Sequence, residues 1–178
     1  MTISKQDWHY VFELGLAITV AASMLLYGIV KPIQFSNTII LQKNVMDLTG
    51  MELMWAFYGY SKAYAIIIGI FEIIGGLLLL INRTRIAGAI ILATILFNVI
   101  LQDIFYGVHQ GALKAAIIYQ VLLLIVFYLK RKTILFTIKF YLQQIKTTTV
   151  TFKKRSLLVA IAFVSSIVFK LLESFLTH

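Results

Sequence analysis

AYAIIIGIFEIIGGLLLLI (residues 63–81), NRTR (82–85) and IAGAIILATILFNVILQDIFYGV (86–108) form the stretch whose reading decides the fold. The first run holds a single charge, Glu72, and the second holds none before Asp103. At about 1.5 Å per residue, each run as a helix is roughly 30 Å long, the thickness of a bilayer hydrocarbon core. The polar turn Asn82-Arg83-Thr84-Arg85 joins them as an antiparallel hairpin.

Working outward, His109-Gln110-Gly111 makes the next turn and Ala112–Leu129 a further span, with Lys114 close enough to its start to snorkel. Upstream, Val11–Val30 is interrupted only by Glu13, and Tyr27 and Lys31 close it. Pro32 is expected to stop that helix. A cleavable signal sequence is the rival reading of this run. Its length exceeds a typical h-region and no small-x-small site ends it, so a span is the expectation. Ser156–Leu176 is the fifth span. Its uncharged part is short, and Lys170 and Glu173 stand at i and i+3 near its far end, spaced to pair or snorkel. An interfacial helix is the alternative reading.

Composition agrees. The 178 residues are 61% hydrophobic and 13% charged, with a mean hydropathy of +0.93. Charged residues make up about a quarter of an ordinary soluble domain, so this chain has too little charge to coat a soluble surface. One proline and ten glycines argue against disorder. The absence of cysteine excludes disulfides, thiolate metal sites and dithiol redox chemistry. The predicted fold is an all-α integral membrane protein: an antiparallel four-helix transmembrane bundle over residues 1–130, an amphipathic connection over 131–155 and a C-terminal membrane helix over 156–178.

Two connections have structure of their own. Within 32–61, Thr49 and Glu52 have capping-box spacing, and Met51, Met54, Trp55 and Tyr58 share one helical face. This predicts a short helix in or against the membrane surface. Within 130–155, Lys132, Lys139, Gln143 and Lys146 share one side and Ile134, Leu135, Ile138, Leu142 and Ile145 the other. That is the pattern of an interfacial helix whose lysines meet anionic headgroups.

With five spans, 11 of the 16 lysines and arginines fall on the side of the N-terminus. The positive-inside rule then puts the N-terminus in the cytoplasm, in a cytoplasmic (inner) membrane. The net charge of +9 is therefore read as topology and lipid attraction, with no nucleic-acid partner.

Glu72 is the sharpest chemical signal. A carboxylate near mid-bilayer must be neutral, paired or hydrated. Lys62, Ala65, Gly69 and Gly76 share its face, and small residues admit a neighbouring helix, so Glu72 is expected inside the bundle. Asn98, Gln102 and Tyr106 form a polar stripe at i, i+4 and i+8. Counted from the turn near residue 84, Glu72 and Asn98 differ by about 3 Å in depth, Lys62 matches Tyr106, and Asp103 comes within reach of Lys62. Lys31 lies toward the same end. Together Glu72, Asn98, Gln102, Asp103, Tyr106, Lys31 and Lys62 describe either interhelical hydrogen-bond glue or a pocket for the polar head of a lipophilic ligand. No metal site is expected. The three histidines stand away from mid-membrane, which disfavours a bis-histidine haem, and no HExxH, GxSxG or P-loop pattern occurs. His109 reads as a loop histidine, and Trp8, Trp55, Tyr58 and Tyr60 as an interfacial belt.

Tyr27-Gly28-x-x-Lys31, Gln34-Phe35 and Trp55-x-Phe57-x-Gly59-Tyr60-Ser61-x-x-Tyr64 resemble the DoxX-like family of small membrane proteins. So do Gly69-x-x-Glu72-x-x-Gly75-Gly76-Leu77-Leu78-Leu79, Arg83-Thr84, Asn98-Val99 and Tyr106-Gly107-Val108. The resemblance covers residues 10–130 and implies a four-helix bundle associated with membrane redox complexes and quinones. It suggests a subunit with no encoded redox cofactor, a quinone or lipid as ligand, and a membrane protein partner or a second copy of itself. Glu72 would exchange protons, Asn98, Gln102 and Tyr106 would hold the ligand head, and Lys31 and Lys62 would tune charge. An accessory subunit with the polar cluster as glue is the second expectation. A small transporter is the third, disfavoured by the lack of inverted repeats.

Overall fold

The computed structural model describes residues 4–36, 42–145 and 151–177. Among these residues every regular element is helical: α1 (Lys5–Gln34), α2 (Gly50–Tyr60), α3 (Lys62–Leu80), α4 (Arg85–Phe105), α5 (Gln110–Leu129), α6 (Arg131–Gln144) and α7 (Phe152–Thr177), with a short 3-10 turn at Val45–Asp47. Five of them, α1, α3, α4, α5 and α7, are long and apolar enough to cross a membrane. The chain falls into two units, Met1–Leu135 and Phe136–His178.

In the first unit α1 packs on α3 and α5, and α4 packs on the same two, closing a ring of four helices. The core between them is Ala17, Val20, Ala21, Met24, Leu79, Ala89, Leu92, Leu96 and Leu123. The outward faces remain apolar: Ile29, Phe71, Leu77 and Phe97 are exposed. Such a surface suits a hydrocarbon solvent, where no polar coat is needed.

Helix α1 extends beyond the apolar run at both ends. Ser4 caps it, accepting the Asp7 N–H at 3.2 Å, while the Asp7 carboxylate accepts the Ser4 N–H at 2.8 Å. Pro32 does not stop it, contrary to the sequence expectation: the helix continues to Gln34. In the last turn the missing proline N–H forgoes a single bond, the one to the Gly28 carbonyl. That carbonyl lies against α3. A Cβ built on Gly69 would lie 2.5 Å from it, and a Cβ on Gly28 would lie 2.5 Å from the Gly69 carbonyl. The two backbones therefore touch, and only glycine at both positions permits it. Gly76 meets Ala21 and Leu25 further along, so α1 and α3 run antiparallel.

Helix α2 has the expected capping box, with Glu52 N–H donating to Thr49 Oγ1 at 3.3 Å and Thr49 N–H donating to Glu52 Oε2 at 3.0 Å. Its Met51, Met54, Trp55 and Tyr58 face turns onto the end of the bundle, where Phe35 stacks on Tyr58 with ring centroids 4.6 Å apart and meets Trp55 edge-on at 5.8 Å.

Helix α4 ends where Gly107 takes φ of +62° and the Val108 N–H donates back to the Asp103 carbonyl at 3.0 Å. This left-handed stop turns the chain into α5 within four residues.

Helix α6 carries Lys132, Lys139 and Gln143 on one side as expected; Lys146 lies outside the described residues. In the second unit, α7 starts at Phe152, four residues before the predicted span. Lys153, Lys154 and Arg155 thus occupy its first turn, although the helix dipole disfavours cations there. A penalty of well under about 1 kcal/mol per charge is outweighed wherever a lipid–water boundary holds the cations. Lys170 and Glu173 pair at 2.7 Å.

Candidate functional site

The ends of α1 and α4 and the starts of α3 and α5 meet beneath α2. Between them lies a cavity of about 290 Å³. Met24, Leu96, Val99 and Ala116 form its apolar wall, Tyr27, Phe35, Trp55 and Tyr58 its aromatic rim. Its charged residues are Lys31, Glu72 and Asp103.

Lys31 Nζ lies 2.5 Å from Glu72 Oε1, and both residues are buried. Their Cα positions should be far apart in depth. Lys31 is three residues beyond Gly28 and Glu72 three beyond Gly69, in antiparallel helices, which separates them by about 9 Å along the axis. Helical side chains lean toward their own N-termini, so in an antiparallel pair these two lean toward each other and close the gap. The Gly28–Gly69 contact thus sets the spacing that the ion pair bridges.

Asp103 is 5% exposed, and among the described residues its Oδ2 has no hydrogen-bond partner. Neither has Glu72 Oε2. Gln102 is held between helices: Tyr58 Oη donates to its Oε1 at 2.9 Å, and its Nε2 donates to Asn98 Oδ1 at 2.7 Å. This chain ties α2 to α4. Burial pushes the Tyr58 phenol up from its ordinary pKa, keeping it a neutral donor. His109 is more than a loop residue: its Nδ1 accepts the Gly111 N–H at 3.1 Å, capping α5, and its side chain borders the cavity.

Of the residues singled out by sequence, Lys31, Glu72, Gln102 and Asp103 line the cavity. Asn98, Tyr106 and Lys62 do not, and all three are exposed. The cause is helical phase. The inward face of α4 passes through Leu92, Leu96, Val99 and Asp103, one residue off the Asn98–Gln102–Tyr106 stripe. Lys62 opens α3 and makes no ion pair with Asp103. Tyr106 serves the backbone instead, its carbonyl lying 2.5 Å from where a Gly50 Cβ would be. Trp55 and Tyr58 border the cavity.

A second charged cluster, which sequence reading did not find, lies at the opposite end of the bundle. Arg85 is fully buried. Its guanidinium donates to Glu13, to the Leu79 carbonyl at 3.0 Å and to the Leu80 carbonyl at 3.2 Å. Lys130 Nζ lies 3.0 Å from Glu13 Oε1 and donates to Asn82 Oδ1 at 2.7 Å. One carboxylate from α1 thereby binds the start of α4 and the end of α5, and Arg85 adds the end of α3. The signal was present: Glu13 and Lys31 are 18 residues apart on α1, about 27 Å, and Arg85 and Asp103 are 18 apart on α4. The four helices therefore bring buried charge together twice, once at each end.

No protein family profile matches the chain, and no solved structure matches it. Over 83 residues it is 37% identical to uncharacterized protein YwoB of Bacillus subtilis (strain 168). The matched stretch covers 47% of this chain and 53% of that protein. The chain thus spans about half the length of the curated relative it matches.

Proposed function

We propose that this chain is a DoxX-like membrane protein, a redox-associated subunit whose cavity receives the polar head of a quinone-like or other small lipophilic ligand. The observation that carries the ligand reading is the cavity beneath α2, where buried acceptors without partners, Glu72 Oε2 and Asp103 Oδ2, meet an apolar and aromatic wall. Each of these oxygens is a place for a donor, because a buried acceptor left without one is costly. Its volume stands at the small end of ligand sites, so the bound part is compact. Electrons, where redox chemistry is involved, come from a partner protein. The N-terminus is cytoplasmic, the cavity opens toward the outer side, and the basic 130–155 segment rests on anionic lipid.

The test is purification of the native protein in lipid particles without detergent, followed by mass spectrometry of what is extracted. A stoichiometric lipophilic molecule in the wild type, lost in Ala116→Phe, supports the reading. Identical extracts from a folded Ala116→Phe protein would refute it. Copurification with a redox enzyme but without any ligand would favour the accessory-subunit reading, for which the Lys31–Glu72 pair is structural.

A further inference from the structure

Lys31 and Glu72 pair with each other, and among the described residues Asp103 has no cationic partner. The two unpartnered carboxylate oxygens, Glu72 Oε2 and Asp103 Oδ2, are acceptors, so what they lack is donors. A third unpartnered acceptor, Gln120 Oε1, is not part of the lining. Four aromatic residues, Tyr27, Phe35, Trp55 and Tyr58, border the same space, and ring faces attract cations.

We infer that the head group this cavity receives is a protonated amine on a short apolar tail. An ammonium supplies N–H donors for these oxygens and a cation for the Asp103 side chain to pair with. The carbonyls of an oxidised quinone would supply neither. The Lys31 side chain, committed to Glu72 Oε1, leaves the Asp103 side of the cavity as the ammonium subsite. An anionic head would meet an uncompensated carboxylate there and be repelled. This inference rests on the reading of the cavity as a ligand site, and it is independent of any redox association.

A series of probes with one tail and different heads tests it. The protein carries two tryptophans; Trp8 is exposed on α1, so in Trp8→Phe the emission of Trp55 alone reports on the cavity. That protein, in nanodiscs of zwitterionic lipid, is titrated with n-octylammonium, octyltrimethylammonium, 1-octanol, octanoate and decylubiquinone. Octylammonium should saturate at the lowest concentration. Octyltrimethylammonium, which has the charge without donors, and octanol, which has a donor without charge, should each be weaker by about tenfold or more. Octanoate should be weakest. Asp103→Asn, nearly isosteric and relieved of an unpaired charge, should fold and lose the preference for octylammonium over octanol. Equal binding of octylammonium and octanol by the wild type overturns the inference without recourse to any variant. Binding of decylubiquinone without octylammonium overturns it while leaving the cavity reading intact. If none of the five saturates, both fall.

Discussion

Lys31 and Glu72, 41 residues apart in sequence, meet at 2.5 Å inside the bundle, and each is the residue three places beyond a glycine at the α1–α3 contact. The backbone approach and the ion pair are thus one device. Moving the helices apart would open the pair, and losing the pair would leave a charge in the interior.

The first prediction concerns that pair. Glu72→Leu leaves a buried ammonium and should destabilise the protein by about 3–5 kcal/mol. Glu72→Gln keeps shape and an acceptor and should cost less. The double variant Lys31→Met/Glu72→Leu removes both charges and should be more stable than Glu72→Leu alone. Unfolding in detergent measures all three. A double variant no more stable than Glu72→Leu would mean that the pair does not form.

The second concerns the backbone contact. Gly28→Ala places a Cβ 2.5 Å from the Gly69 carbonyl and should cost about 1–3 kcal/mol. Gly15→Ala, on the same helix with nothing within 4 Å, should be neutral or slightly stabilising. Comparable losses at both positions would show that α1 and α3 do not touch.

The third concerns the opposite end. Arg85→Met strands Glu13 with Lys130 alone and uncaps the Leu79 and Leu80 carbonyls, so about 3–5 kcal/mol should be lost. Lys130→Ala, at the half-open edge of the cluster, should cost much less. Equal melting temperatures for the wild type and Arg85→Met would contradict the cluster.

A fourth prediction follows from the cap of α2. Bonding to Lys43 and Thr49 lowers the Glu52 pKa from 4.5 to about 2. A depressed carboxylate stabilises the fold fully above its ordinary value, and that contribution disappears as pH falls through the folded value. The environment of Trp55, read by its emission in Trp8→Phe, should therefore stay constant above the ordinary carboxylate range and loosen as pH drops toward about 2. In Glu52→Gln the change that begins below pH 4.5 should be absent.

The fifth concerns topology. With the N-terminus cytoplasmic and five crossings, Thr177→Cys should react with an impermeant thiol reagent in intact cells and Ser4→Cys only after lysis. If Thr177→Cys also reacts only after lysis, α7 does not cross.

Much of this protein was determined by the sequence alone. Runs of apolar residues as long as a bilayer is thick can only be helices in that solvent, because no other single-segment structure satisfies every backbone group. The apolar runs, the turns at 82–85 and around His109, and the Thr49–Glu52 cap follow from composition and local chemistry. The tertiary structure decided the rest. A period of 3.6 residues gives a helix its faces but does not say which one meets a neighbour, and an error of one residue turns a side chain by 100°. Hence Asp103 rather than Asn98 faces the cavity, and Trp55 and Tyr58 turn inward onto Phe35. Pro32, a helix stop when read locally, sits inside the last turn of α1, where its missing N–H forgoes a single bond. The pairing of Glu13 with Arg85 and of Lys31 with Glu72 joins residues 72 and 41 positions apart. No local rule reaches that far; only the packing of four helices brings those charges together.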